Sequence, residues 1–237
     1  MRLQIRHAVI CCTAIAGPLL ADGDSALGQD RRHLTLDCEI AVARSAAPDR
    51  LRAGASVYAL VDGEYRKVIE GEGPLTCVVE RNAADALVPQ CMDRGGIESV
   101  LPAIIFRSMM AVRGASNAEI AAANQDRVEH GGFKPLPGPG VSYMMSAYNY
   151  IFVPSAERIL KVPPHVMFYA PGITNADIGG SFESTVRNIG TPVVFNPGIH
   201  GYMIVYTQDA ADPVEVAEEC RGQLGDAPPV FEPFTER

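Results

Sequence analysis

"SVYALVDGEYRKVIEGEGPLTCVVER", residues 56–81, is the stretch whose reading decides the fold. Its first two runs are rich in the β-branched and aromatic residues that suit a pleated surface. They meet at Asp62-Gly63, the pair that supplies the positive φ angles of a two-residue hairpin turn. A second turn, rich in glycine and holding Pro74, leads into a third run ending "TCVVER". The simplest reading is a three-stranded antiparallel meander.

The flanks change period. Upstream, "LDCEIAVARSAAP" (residues 36–48) has helical composition, places Leu36, Ile40 and Ala43 on one face and stops at a proline. Downstream, "SVLPAIIFRSMMAVRG" carries Leu101, Ile104, Ile105, Met109 and Val112 at helical spacing, with Pro102 read as near the start and Gly114 just past the end. Ser116 to Glu119 spells a capping box, and the helix it opens should end near His130, before Gly131-Gly132. The two helices should form an αα-hairpin. "GGFKPLPGPG" (131–140) suits neither helix nor strand and reads as an ordered connector. Four β-rich runs follow, at 141–148, 165–170, 191–196 and 201–207, then a short helix near Pro213 to Gly222 and a proline-rich tail.

This order implies an α+β fold: an antiparallel sheet with helices on one face, the central αα-hairpin among them, loosely like a PAS-type sensor domain. The expected organisation is a signal peptide over 1–28, one α+β domain over 29–212, and a C-terminal helix and tail over 213–237. Arg2, Arg6 and His7 followed by the apolar Ala8–Ala21 suit an export signal, and "ALG" at 26–28 suits cleavage before Gln29. The apolar core is too short to span a bilayer. No integral membrane segment is expected once it is removed, and the chain should be periplasmic or secreted.

The 237 residues are 47% hydrophobic and 20% charged, enough for a packed core, and the net charge of −8 comes with no basic run. A phosphate-backbone partner needs clustered cations, so nucleic acid is excluded as a partner. Removing the signal takes Cys11 and Cys12 with it. Cys38, Cys77, Cys91 and Cys220 remain, and in an exported chain four cysteines read as two disulfides with three possible connectivities. Cys77 and Cys91 are near in sequence and flank a turn-rich connection, with Cys91 read as lying in a loop. A bridge between them would close a ring worth about 3 kcal/mol and leave Cys38 for Cys220.

Candidate site residues cluster late in the chain. In "HVMFYAPGITNADIGG" (165–180), strand alternation puts His165, Met167 and Tyr169 on one side, and His200 lies at the start of the last strand. Imidazole with thioether suits copper or haem iron. Methionine also fills cores and strand-end histidines reach water with their tips, so no cofactor or metal is expected. Ser146, His165 or His200, and Asp177 have the functional groups of a hydrolytic triad, yet "GxSxG", "SxxK" and "HExxH" are all missing. Asn175, Asp177 and Gly180 copy the start of a calcium loop, but position twelve is Val186 where a carboxylate is required. An asparagine-initiated turn accounts for them.

"PLTCVVERN" with "PQC" downstream, "ESVLP", "YMMS" and "PPHVMFYAP" followed by a late apolar strand resemble a family of exported bacterial proteins without an assigned activity, over roughly residues 36–207. The resemblance implies export and shared architecture, and no catalytic residue. The leading expectation is therefore an exported protein that binds a small molecule or a protein partner. The alternative is a hydrolase-type or metal-dependent enzyme using His165, the "YMMS" strand and a wall from residues 173–190. On either reading, His165 should look into a cleft.

Overall fold

The computed structural model describes residues 31, 33–187, 190–207 and 213–231. The expected signal peptide and its cleavage point lie outside them. The fold is α+β, built on a mostly antiparallel eight-stranded sheet. Helix α1 (Leu36–Ser45) and a single turn, α2 (Asp49–Arg52), precede strands β1 (Ser56–Val61), β2 (Glu64–Ile69), β3 (Thr76–Glu80) and β4 (Val88–Met92). The long helix α3 (Arg94–Val112) and α4 (Asn117–Glu129) come next. Then follow β5 (Val141–Met144), β6 (Tyr150–Val153), β7 (Arg158–Lys161), β8 (His165–Tyr169), α5 (Asn175–Ile178), α6 (Phe182–Arg187), β9 (Val193–Asn196), β10 (Tyr202–Tyr206) and α7 (Val214–Glu219). The sheet order is β2-β1-β3-β4-β5-β8-β10-β9, with β6 and β7 forming a separate ribbon.

The hairpin at Asp62-Gly63 forms as expected, both residues at positive φ. The meander does not. β3 lies on the far side of β1 and runs parallel to it. After β2 the chain turns across the start of β1: Gly73 N–H donates to the Gly54 carbonyl at 2.8 Å, and Ser56 N–H to the Leu75 carbonyl at 3.0 Å. A Cβ on Gly71 would lie 2.2 Å from the Gly54 oxygen, so only glycine passes there. Burial supplies the reason for the crossing. All five residues of β3 are buried, whereas β2 is charged and half exposed. A strand buried on both faces belongs inside a sheet, and a charged one at its edge.

Helices accordingly cover both faces rather than one. Cys77 and Val79 pack with Cys38, Val42 and Ala43 of α1, while Val78 and Met92 pack under Leu101 and Ile104 of α3. The buried stripe of α1 is Cys38, Glu39, Val42, Ala43 and Ser45, whereas Leu36 is 44% exposed. α3 starts at Arg94, earlier than its periodicity indicates, because Asp93 caps it by accepting from Gly96 N–H at 3.0 Å. Pro102 is thereby interior to the helix. α3 is long and apolar enough to cross a membrane by length and composition, and here it packs on the sheet. The Ser116–Glu119 capping box is present, and α3 and α4 form the expected hairpin.

Cys91 sits on β4, directly opposite Cys77, and the two are bonded across neighbouring strands. The second disulfide joins Cys38 to Cys220. It brings the C-terminal segment into the core, where Val216, Cys220 and Leu224 pack against α1. Beyond, Lys161 N–H donates to the Pro229 carbonyl and Phe231 N–H to the Lys161 carbonyl, so the tail lies along β7.

β9 ends the sheet, and its outer edge is closed by a side chain. Asn175 accepts from Val194 N–H at 2.8 Å and donates to the Val194 carbonyl at 2.9 Å, imitating a neighbouring strand. Asn175→Ala is expected to cost about 1–2 kcal/mol for the two lost bonds and to open an edge on which a second chain can pair. Urea unfolding and light scattering check this. An unchanged midpoint with an unchanged mass would show that the side chain is dispensable.

Candidate functional site

Alternation along β8 places His165, Met167 and Tyr169 on one face, as expected, but that face is interior. His165 is 2% exposed. Strands β5 and β10 flank it, with Met144 and Tyr206 as its register partners. Its Nδ1 is 2.8 Å from the Pro163 carbonyl, and its ring meets Tyr206 edge-on at 5.6 Å. Burial lowers its pKa to about 4, against the weaker opposing effect of the Pro163 carbonyl.

That shift fixes a pH dependence. In the unfolded chain the imidazole takes up a proton near 6.5, and in the folded chain only near 4. Above pH 6.5 the imidazole is neutral in both states, and its titration adds no pH dependence to stability there. As pH falls toward 4 the unfolded state binds the extra proton, and roughly 3 kcal/mol is lost. The expected result is a fall in urea midpoint between pH 6.5 and 4 that is largely abolished in His165→Phe. Parallel pH profiles for the two proteins would refute it.

Tyr169 lies over the first turn of α3, where a Cβ on Gly96 would stand 2.2 Å from its hydroxyl. Burial, aided by the Asp93 carboxylate, pushes its phenol well above the usual range. Ser146 is fully buried, 2.7 Å from the Ser45 hydroxyl, and accepts from Tyr148 N–H. Asp177 is exposed and completes a capping box with Thr174, whose side chain and backbone N–H both donate to it. The serine, histidine and carboxylate whose functional groups would suit a triad thus hold separate partners, and no hydrogen bond joins them. No group of three histidine, cysteine, aspartate or glutamate residues able to hold a metal occurs among the described residues.

Among the described residues, an open cleft lies at the other end of β8. Three proline-bearing loops meet there: Pro135 and Leu136 of the connector after α4, Pro171 and Gly172 after β8, and Pro197, Gly198 and Ile199 between β9 and β10. They line about 510 Å³. His165 begins β8 and Tyr169 ends it, a span of roughly 14 Å at strand spacing, and Pro171 follows two residues later, so His165 lies outside this lining. Residues 173–190 form no part of it either. The walls are fixed by main-chain bonds: Ala170 N–H donates to the Gly201 carbonyl at 2.8 Å, and Gly172 N–H to the Pro197 carbonyl at 3.0 Å. His200 clasps the third wall, its Nε2 lying 2.8 Å from the Lys134 carbonyl. A carbonyl only accepts, so Nε2 carries the proton. Burial holds this histidine below its ordinary pKa, with Arg107 adding to the effect and the Lys134 carbonyl opposing it. The Phe133 ring tilts against the His200 ring at 6.1 Å and meets Phe106 edge-on at 5.8 Å, with Arg127 over the Phe106 ring.

Sequence reasoning gave no sign of the charged network nearby. Glu80 Oε1 accepts from Arg107 Nε and Nη2 at 3.0 and 2.8 Å, and Oε2 from Gln90 at 2.9 Å. Glu80 and Gln90 fall within "PLTCVVERN" and "PQC", but nothing in those stretches marks them as partners of Arg107; only the sheet and α3 bring the three together. Comparison of the chain with family models, curated proteins and solved structures finds no match.

Proposed function

We propose that the protein is an exported binding protein, periplasmic or secreted, that holds a small apolar molecule between the three prolyl loops. The carrying observation is the cleft itself. It is an open depression rather than an enclosed cavity, and its volume of about 510 Å³ is within the size of small-molecule sites, roughly 300–1,000 Å³. Its lining is proline, glycine, leucine and isoleucine with no charged side chain. Proline rings present rigid apolar faces, and hydrogen bonds already fix the walls, so little ordering opposes binding. The disulfides are consistent with an oxidising, exported location. In this reading α3 is a core helix, its buried face spent on the sheet.

Native mass spectrometry of protein purified from its exporting host tests the proposal. The expected result is a non-covalent adduct on the wild type. Ile199→Asp should reduce its retention at least tenfold while the unfolding midpoint stays within a few degrees. Bare wild-type protein, or equal retention in the variant, would overturn the reading.

A further inference from the structure

We propose that His165, Met144 and Met167 form a binding site for a soft monovalent cation, Cu(I), separate from the prolyl cleft. The three lie on one face of the sheet. Met144 is the direct register partner of His165 across β5 and β8, and such pairs hold their Cβ atoms about 4.5–5.5 Å apart. Met167 is two residues along β8, about 7 Å away on the same side. Both thioethers belong to a single apolar cluster, and the three residues are 2%, 3% and 7% exposed for His165, Met144 and Met167.

The tautomer of His165 completes the argument. Its Nδ1 bonds to the Pro163 carbonyl. A carbonyl cannot donate, so Nδ1 carries the proton and Nε2 keeps its lone pair. Among the described residues nothing hydrogen-bonds to that nitrogen. A histidine whose far ring N–H is held by a backbone carbonyl is oriented as metal-ligating histidines are. The donor set is one neutral imidazole and two thioethers. The four cysteines among the described residues are all in disulfides, so none of these offers a competing thiolate. Without an anionic ligand the site offers little to Zn(II), Mg(II) or Ca(II). Thioether with imidazole instead favours Cu(I), and equally its redox-inert analogue Ag(I).

The test uses Ag(I) on the mature chain with both disulfides intact and no thiol reductant present. Calorimetric titration should give one tight Ag(I) per chain. Met144→Leu and Met167→Leu, which nearly conserve volume, should each weaken it at least tenfold. Met203→Leu, across the sheet opposite Phe168, should leave it unchanged. In the wild type, Ag(I) should shift the NMR signals of the His165 ring and of the Met144 and Met167 methyl groups, and equimolar Zn(II) should not. This second measurement stands even where a variant fails to fold. Absence of a stoichiometric site, equal affinity in all three leucine variants, or shifts confined to other methionines would overturn the proposal.

Discussion

Replacing Cys38 and Cys220 together by alanine is expected to remove about 5 kcal/mol of stability, the largest effect of any change considered. The disulfide closes a loop spanning 182 positions of sequence, and in the chain-entropy account the penalty lifted from the unfolded state grows with the logarithm of that length. Domains of this size are stable by only about 5–15 kcal/mol, so the variant should lie close to its unfolding threshold at 37 °C. The packing supports a global effect over a frayed end. Cys38 is fully buried and Cys220 nearly so, with Val216 and Leu224 in the same cluster as Cys77 and Cys91. Polar ties join the same two regions: Arg31 donates to the Leu224 and Asp226 carbonyls, and Gln223 accepts from Thr35 N–H. Urea unfolding of the double variant against wild type measures the difference. A loss under about 1 kcal/mol would mean that these contacts hold α7 without the covalent bond. The Cys77–Cys91 bridge closes a far shorter loop, 14 positions apart, and its removal should cost about 3 kcal/mol.

What was legible in the sequence was local. Asp62-Gly63, the Ser116–Glu119 box and the glycine that ends α3 each specify a turn or cap through the residues themselves, and each formed. What escaped depended on neighbours distant in sequence. The side of β1 on which β3 settles is decided by the close pass of Gly71 over Gly54 and by the need to cover β3 twice. β4 was hidden by Pro89, which is tolerated because β5 pairs only with Cys91 and Met92, leaving the missing donor unneeded. The β6–β7 ribbon was hidden because its turn uses no glycine; Glu157 takes the positive φ instead. For the candidate site, alternation along β8 gave the right face for His165. Its exposure was set by β5 and β10, whose pairing no local pattern encodes. The prolines of the cleft were all visible, but their convergence follows from the β8–β10 register.

Glu39→Ala should cost about 3–5 kcal/mol, because it strands a charge inside the protein. Glu39 on α1 and Arg81 just past β3 meet at 2.7 Å with side chains 2% and 0% exposed. Arg81 also donates to the Val79 carbonyl at 3.2 Å and the Arg31 carbonyl at 3.4 Å, and its own N–H goes to the Ser108 hydroxyl. Burial acts to lower the Arg81 pKa, and Glu39 and Tyr65 beside it together more than reverse this, so the guanidinium stays charged. With Glu39 gone, nothing of opposite sign is bonded to it. The pair is nonetheless imperfect: among the described residues, Glu39 Oε1 and Arg81 Nε have no hydrogen-bond partner. Replacing both members by apolar residues of similar size, Glu39→Leu with Arg81→Met, should therefore be far milder than either single change, within about 2 kcal/mol of wild type. The coupling in this double-mutant cycle separates the two contributions. Strong coupling would show that the ion pair chiefly fixes how α1 seats on the sheet, each charge tolerable only because the other is present. If Glu39→Ala instead loses under about 1 kcal/mol, water or a shifted carboxylate must reach Arg81, and the packing of α1 over β3 is looser than its burial implies.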